Sequence, residues 1–110
     1  MKNRVIVETS FRRPAKNLAK RYPSFPQDLL QLIVELESNA LLGVSLGGHL
    51  RKIRMSIKSK GKGKSGGARV IAYALVAMGR VHLLTVYDKS DKDTVSDAEL
   101  KSLIRQIGTI

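Results

Sequence analysis

Apolar and polar positions along the 110 residues change period several times, and each change predicts an element. Arg4–Thr9 (RVIVET) is rich in β-branched residues and predicts a short strand. Phe11–Arg21 sets Phe11, Ala15, Leu18 and Ala19 near helical spacing, with Ser10 as N-cap and Pro14 in the first turn, where a missing N–H costs little. Tyr22-Pro23 ends that helix, because the residue before a proline disfavours the α region. Ser24-Phe25-Pro26-Gln27 reads as a capping box with proline in the first turn. It opens a second helix, Gln27–Glu37, whose Leu29, Leu32, Ile33 and Leu36 form an apolar stripe. The link between the two helices is short enough for an αα-hairpin.

Ser38–Gly48 holds three glycines and reads as a loop. Leu50–Lys58 then alternates: Ile53, Met55 and Ile57 point one way, and Lys52, Arg54, Ser56 and Lys58 the other. Ser59–Gly67 reads as a flexible connection, within the low-complexity run Lys58–Gly67. Arg69–Val76 is a nearly continuous apolar strand, Met78-Gly79-Arg80 a tight turn, and Val81–Tyr87 a further strand. Thr94–Gly108 closes the chain as a helix, with Ser96 and Glu99 as capping box and Leu100, Leu103, Ile104 and Ile107 as its buried stripe. The expected fold is α+β in the order β-α-α-β-β-β-α, one domain spanning 1–110. Its antiparallel meander has one face covered by the N-terminal hairpin. The first strand is expected to join the same sheet, and the basic face of the second strand to lie away from the hairpin.

Charge changes this picture more than composition does. The 43% apolar content is ordinary, and without cysteine there is neither disulfide nor thiolate metal site. No apolar run is long enough for a membrane span and the start has no secretory h-region, so a cytoplasmic protein is expected. The net charge, however, is +11, which favours an anionic partner. No carboxylate occurs between Glu37 and Asp88, an interval with nine Lys and Arg. Eight of these fall in Leu50–Arg69, LRKIRMSIKSKGKGKSGGAR.

Strand alternation puts Lys52 and Arg54 about 7 Å apart on one face. If the flanking strands pair as a hairpin, Arg69 reaches the same patch. Three converging cations suit a phosphodiester: arginine grips two phosphate oxygens, and lysine brings a compact charge or a proton. The bland alternative is electrostatic docking without chemistry. Lys58, Lys60, Lys62 and Lys64, spaced by glycine and serine, are candidates for tracking an RNA or DNA backbone, with Arg51 counted beside them; the alternative is a disordered, solvated linker. Gly63-Lys64-Ser65 imitates a phosphate-binding P-loop, but that motif needs glycine where Lys58 stands and a helix where a strand follows. Lys89 is a candidate to join the patch and Tyr87 to stack on a base; Tyr73 reads as core or partner-facing. His49 is an acid–base candidate by its nearness to Lys52, whereas His82 reads as structural. Their spacing, without nearby carboxylates, gives no metal site, and no cofactor is expected.

Three segments in order carry a family resemblance: Leu50-Arg51-Lys52-Ile53-Arg54, Gly61 through Ile71 (GKGKSGGARVI), and Leu83 through Lys89 (LLTVYDK). They resemble the RelE/ParE superfamily of toxins from toxin–antitoxin operons, and most of all its HigB-like RelE-type branch; the predicted element order extends the likeness over nearly the whole chain. The resemblance implies a ribosome-dependent endoribonuclease that cuts mRNA in the A site without a metal. It places Lys52, Arg54 and Arg69 on positions that bind and cleave the RNA backbone, and Lys89 near a further basic position. Ser90 stands where RelE has another arginine, and Thr94-Val95-Ser96 where it has a tyrosine. The resemblance therefore names no acid–base pair here, and Tyr87 is the candidate substitute.

The competing readings are a ParE-like inhibitor of DNA gyrase and a non-catalytic basic nucleic-acid-binding module. The expected partners are an acidic antitoxin, the ribosome and mRNA, with no membrane and no small-molecule cofactor. Phe11, Leu41, Leu42 and Leu46 are candidates for apolar contacts with the antitoxin.

Overall fold

The computed structural model describes residues 2–92 and 94–107. Strand β1 (Arg4–Val7) leads into helices α1 (Thr9–Arg21) and α2 (Phe25–Ser38). Strands β2 (Val44–Gly47), β3 (Leu50–Met55), β4 (Ala68–Leu75) and β5 (Arg80–Asp88) follow, with a single helical turn α3 (Gly63–Gly66) between β3 and β4. Helix α4 (Asp97–Arg105) comes last. The strands form one sheet in the order β1-β5-β4-β3-β2, with β1 parallel to β5 and the other pairs antiparallel. The fold is thus α+β, as the sequence predicts, and β1 does join the sheet.

Two cores explain the strand patterns. On one face Phe11, Leu18, Phe25, Leu32 and Leu36 of the hairpin pack with Ile53, Met55, Ile57, Val70 and Leu83. On the other, Leu100, Leu103 and Ile107 from the α4 segment pack with Ile71, Leu84, Tyr87 and Val95. β4 is covered on both faces and is therefore almost continuously apolar; β3 is covered mainly by the hairpin and therefore alternates. Its basic face does lie away from the hairpin.

Several local expectations are corrected. The segment 38–48 is not all loop: Val44–Gly47 pairs with the start of β3, Val44 opposite Lys52 and Gly47 opposite Leu50. Every residue of β2 is exposed, so no burial pattern marks it in the sequence. Helix α1 begins at Thr9 and its N-cap position is Glu8. Ser10 instead donates its Oγ–H to Leu84 O at 2.5 Å, beside the β4–β5 bulge. Pro14 therefore falls in the second turn, where one i→i−4 bond is lost. Ser24 occupies the N-cap position of α2 without a side-chain cap bond; its hydroxyl meets the Asp28 carboxylate at 2.7 Å. At α4 Ser96 is the N-cap as expected, its Oγ accepting from Glu99 N–H at 3.1 Å, while the Glu99 carboxylate meets Lys92 Nζ at 3.4 Å. Gly108, the expected last residue of that helix, lies outside the described residues.

Candidate functional site

β2 is short, so it covers only the first half of β3. Past Lys52 the edge of β3 is open, and a cleft of about 790 Å³ wraps around it. One wall is α2, through Asp28, Gln31, Leu32 and Glu35. Six cations also line the cleft: Lys52, Arg54, Lys58, Lys64, Arg69 and Lys89. The backbone register explains the convergence. Arg54 lies directly opposite Arg69 across the β3–β4 ladder, and Arg69 is in turn opposite Tyr87 on β5. The Lys89 N–H bonds Gly67 O at 3.0 Å, which brings the end of β5 to the loop before β4.

These cations are not equivalent. Arg54 and Lys58 are exposed and Lys52 and Lys89 half-buried. Arg69 is 4% exposed. Its guanidinium donates to Lys64 O (3.0 Å), Ala68 O (3.1 Å) and Ser65 O (2.9 Å). It therefore holds the α3 turn in place as well as adding charge to the cleft.

The segment read as a flexible hinge is fastened along its length. Lys58 N–H donates to Asp28 Oδ2 at 3.0 Å. Ser59 N–H donates to Ser24 Oγ at 2.8 Å. Lys60 Nζ reaches Asp88 Oδ1 at 2.5 Å and Ser90 Oγ at 2.8 Å. Lys60 is thus corrected from a surface contact to an anchor, its side chain 9% exposed. Arg51 is also bonded within the fold: its guanidinium donates to Leu41 O, Leu42 O and Gly43 O, so it ties the loop before β2 to β3. Of the lysine series, Lys58 and Lys64 line the cleft and Lys62 is exposed.

Asp88, which sequence reasoning passed over, is the most heavily bonded of these groups. Its side chain has no exposure, and besides Lys60 it meets Tyr22 Oη at 2.5 Å, Arg21 Nη2 at 3.2 Å and the Ser90 N–H at 2.8 Å. Burial pushes its carboxyl up. The hydrogen bonds from Lys60, Tyr22 and Ser90, with the Lys60 charge, outweigh this and hold it well below the usual carboxylate range. The same contact raises the Tyr22 hydroxyl, chiefly through its hydrogen bond to Asp88 and then through burial. Arg21 is raised mainly by its hydrogen bond to Asp91. One sequence signal pointed here: Asp88 is the first carboxylate after the long acid-free interval. The α2 wall residues Gln31 and Glu35 had no such signal.

Other candidates lie outside the cleft. Tyr87 is 7% exposed and packs in the α4-side core, with Lys92 Nζ 5.1 Å from its ring centroid. His49 is exposed and meets the Tyr73 ring edge-on at 5.2 Å. His82 is buried, its Nδ1 2.7 Å from Glu8 Oε2. Of the four residues expected to meet an antitoxin, Phe11 is corrected to the hairpin core, fully buried, and Leu42 packs partly against it. Leu41 and Leu46 are exposed. Among the described residues, no three His, Asp or Glu side chains are grouped to share a metal ion, and no helix is long and apolar enough to cross a membrane.

Residues 3–109 match the family described as RelE toxin of RelE / RelB toxin–antitoxin system, and the chain belongs to this RelE toxin family. A solved structure, that of an E. coli toxin RelE double arginine-to-alanine mutant in the free state, has the same fold. It superposes with a TM-score of 0.57 at 14% identity, over 97% of this chain and 99% of that one. Membership in a toxin–antitoxin family implies a cognate antitoxin.

Proposed function

We propose that the chain is a ribosome-dependent endoribonuclease that cuts mRNA in the A site and so stops translation. The observation that carries this reading is the cleft: six cations converge at an open strand edge, in a member of a toxin family. In the proposed reaction the RNA 2′-oxygen attacks the adjacent phosphorus and the bond to the 5′-oxygen breaks. A 2′,3′-cyclic phosphate forms, and the leaving oxygen takes up a proton. Arg54, exposed at the cleft, stabilises the charge that builds on the phosphorane-like transition state, with Arg69 behind it. Lys52 orients or deprotonates the 2′-hydroxyl. Lys89 faces the leaving oxygen, a place that the buried Tyr87 reaches less directly. An acidic antitoxin would neutralise this surface, and Leu41 and Leu46 remain candidates for its apolar contacts.

The test is induced expression with 5′-end mapping of cellular mRNAs, wild type beside Arg54→Ala. Wild type should generate ends within translated codons. Arg54→Ala should cut about 10²–10³-fold more slowly, as when one transition-state donor is lost, with an unchanged circular dichroism spectrum. Gyrase-trapped double-strand breaks with intact mRNA would replace this reading by gyrase inhibition. Tolerated expression with neither lesion would leave a binding module.

A further inference from the structure

Lys60 sits in the middle of the most basic stretch of the chain, yet it points inward. Its ammonium group lies between Asp88 Oδ1 and Ser90 Oγ and 5.8 Å from the Tyr22 ring centroid. Asp88 joins three separate parts of the chain: the end of α1 through Arg21 and Tyr22, the basic loop through Lys60, and the turn after β5 through Ser90. A carboxylate taken wholly out of water is costly unless cations and donors replace the water. Here they do, so the lysine that pairs with it is fixed in place and lost to the surface. Fixing Lys60 fixes its neighbours. Lys58 and Lys64 are left on the cleft wall at defined positions, and a phosphate chain that meets them pays less ordering entropy.

We infer that Asp88 is a positioning residue of the cleft: through Lys60 it holds the Lys58–Gly66 segment as a rigid rim that presents lysines to RNA phosphates. This rests on the reading of the cleft as an RNA site. It also runs against simple electrostatics, which makes it testable. Neutralising Asp88 raises the net charge by one, so Coulomb attraction alone predicts tighter RNA binding. Positioning predicts weaker binding.

The experiment measures two quantities on purified wild type, Asp88→Asn, Lys60→Met and the charge-matched surface control Asp97→Asn. The first is affinity for a single-stranded RNA oligonucleotide made uncleavable by 2′-O-methylation. The second is the rate of trypsin cutting after Lys58, Lys62 and Lys64, at a temperature where all four proteins are folded. Asp88→Asn should bind about tenfold more weakly and be cut in the loop about tenfold faster. Asp97→Asn should match wild type in cutting and bind no more weakly. Lys60→Met leaves Asp88 with Arg21, Tyr22 and the Ser90 N–H, so it keeps the fold if Asp88→Asn does not. It should show the same pair of changes. Unchanged or tighter binding by Asp88→Asn with the loop still resistant overturns the inference, as does weaker binding without faster cutting. If wild type itself does not bind RNA, the RNA reading of the cleft fails. Loop cutting then still judges the anchor: faster in Asp88→Asn upholds it, equal to wild type rejects it.

Discussion

Gly67→Ala tests how closely the strand edge is built. Gly67 lies just before β4, against the end of β3. A Cβ there would sit 2.1 Å from Met55 O and 3.1 Å from both Met55 C and Ile57 N. These are backbone atoms, so no side chain can turn aside. Ordinary contact begins near 3.4 Å, and the two strands must part by about 1.3 Å. The parting falls on the last rungs of the ladder, Met55 opposite Ala68 and Arg54 opposite Arg69. It also strains the bond from Lys89 N–H to Gly67 O. Overpacking of this kind costs about 2–3 kcal/mol, which at about 4 °C per kcal/mol lowers Tm by roughly 8–12 °C. Because it shifts Arg54 against Arg69, mRNA cutting should fall about 10²-fold even where the variant is folded. Thermal melting by circular dichroism, with cutting measured well below Tm, reads both effects. A useful comparison is Gly61→Ala, where a Cβ meets nothing but φ is +75°. Left-handed strain alone there costs about 1–2 kcal/mol and should leave the cleft geometry intact. A Gly67→Ala protein that melts within about 2 °C of wild type and cuts at full rate would refute the close approach.

Arg69→Ala removes three hydrogen bonds from a buried guanidinium, two to the α3 turn and one to Ala68 O at the start of β4. It should lower stability by about 2 kcal/mol as well as slow cutting, so its Tm must be measured beside its activity; an unchanged Tm would mean those bonds do not hold the turn. Asp88 also sets an acid limit. Its folded pKa is depressed below the ordinary value of 3.8, so the stabilisation it gives is complete above that pH. It is lost as pH falls toward the folded value, where the unfolded chain binds a proton that the folded one does not. Between about pH 4 and pH 2, wild type should lose stability up to about 1.4 kcal/mol per pH unit faster than Asp88→Asn; parallel urea midpoints for the two proteins would contradict the depressed carboxyl.

What was legible in the sequence was whatever burial imprints. Ile53, Met55 and Ile57 betray β3 because only one of its faces is well covered. The unbroken run from Val70 to Leu75 betrays β4 because both of its faces are. Lys52 and Arg54 follow from alternation, and Arg69 from the hairpin they imply. β2 was illegible because all of its residues are exposed, and strand pairing without burial leaves no pattern. The loop was misjudged for a different reason. Its fastenings span long separations, Lys60 to Asp88 across 28 residues and Ser59 to Ser24 across 35. A lysine among glycines and serines looks solvated unless its distant carboxylate is known. The α2 wall with Gln31 and Glu35 was hidden likewise, since nothing local says which helix face borders a cleft on another element.

The acids explain how a charge of +11 becomes a focused site. Asp28 and Asp88 both bond the basic loop, and both are buried. Asp28 spends its oxygen on the Lys58 N–H and the Ser24 hydroxyl, which neutralises no cleft lysine. Asp88 pairs with Lys60, the one loop lysine withdrawn from the surface, and with Arg21, at the far end of α1. These two carboxylates are thus turned inward and shape the cleft rather than cancel its charge, while Glu35 stays exposed on the cleft wall. Lys58, Lys64 and Arg54 keep their field at a concave edge, where low-dielectric walls concentrate it. Order in the loop and positive potential in the cleft are then two results of the same burial. A substitution that frees either carboxylate should weaken both together.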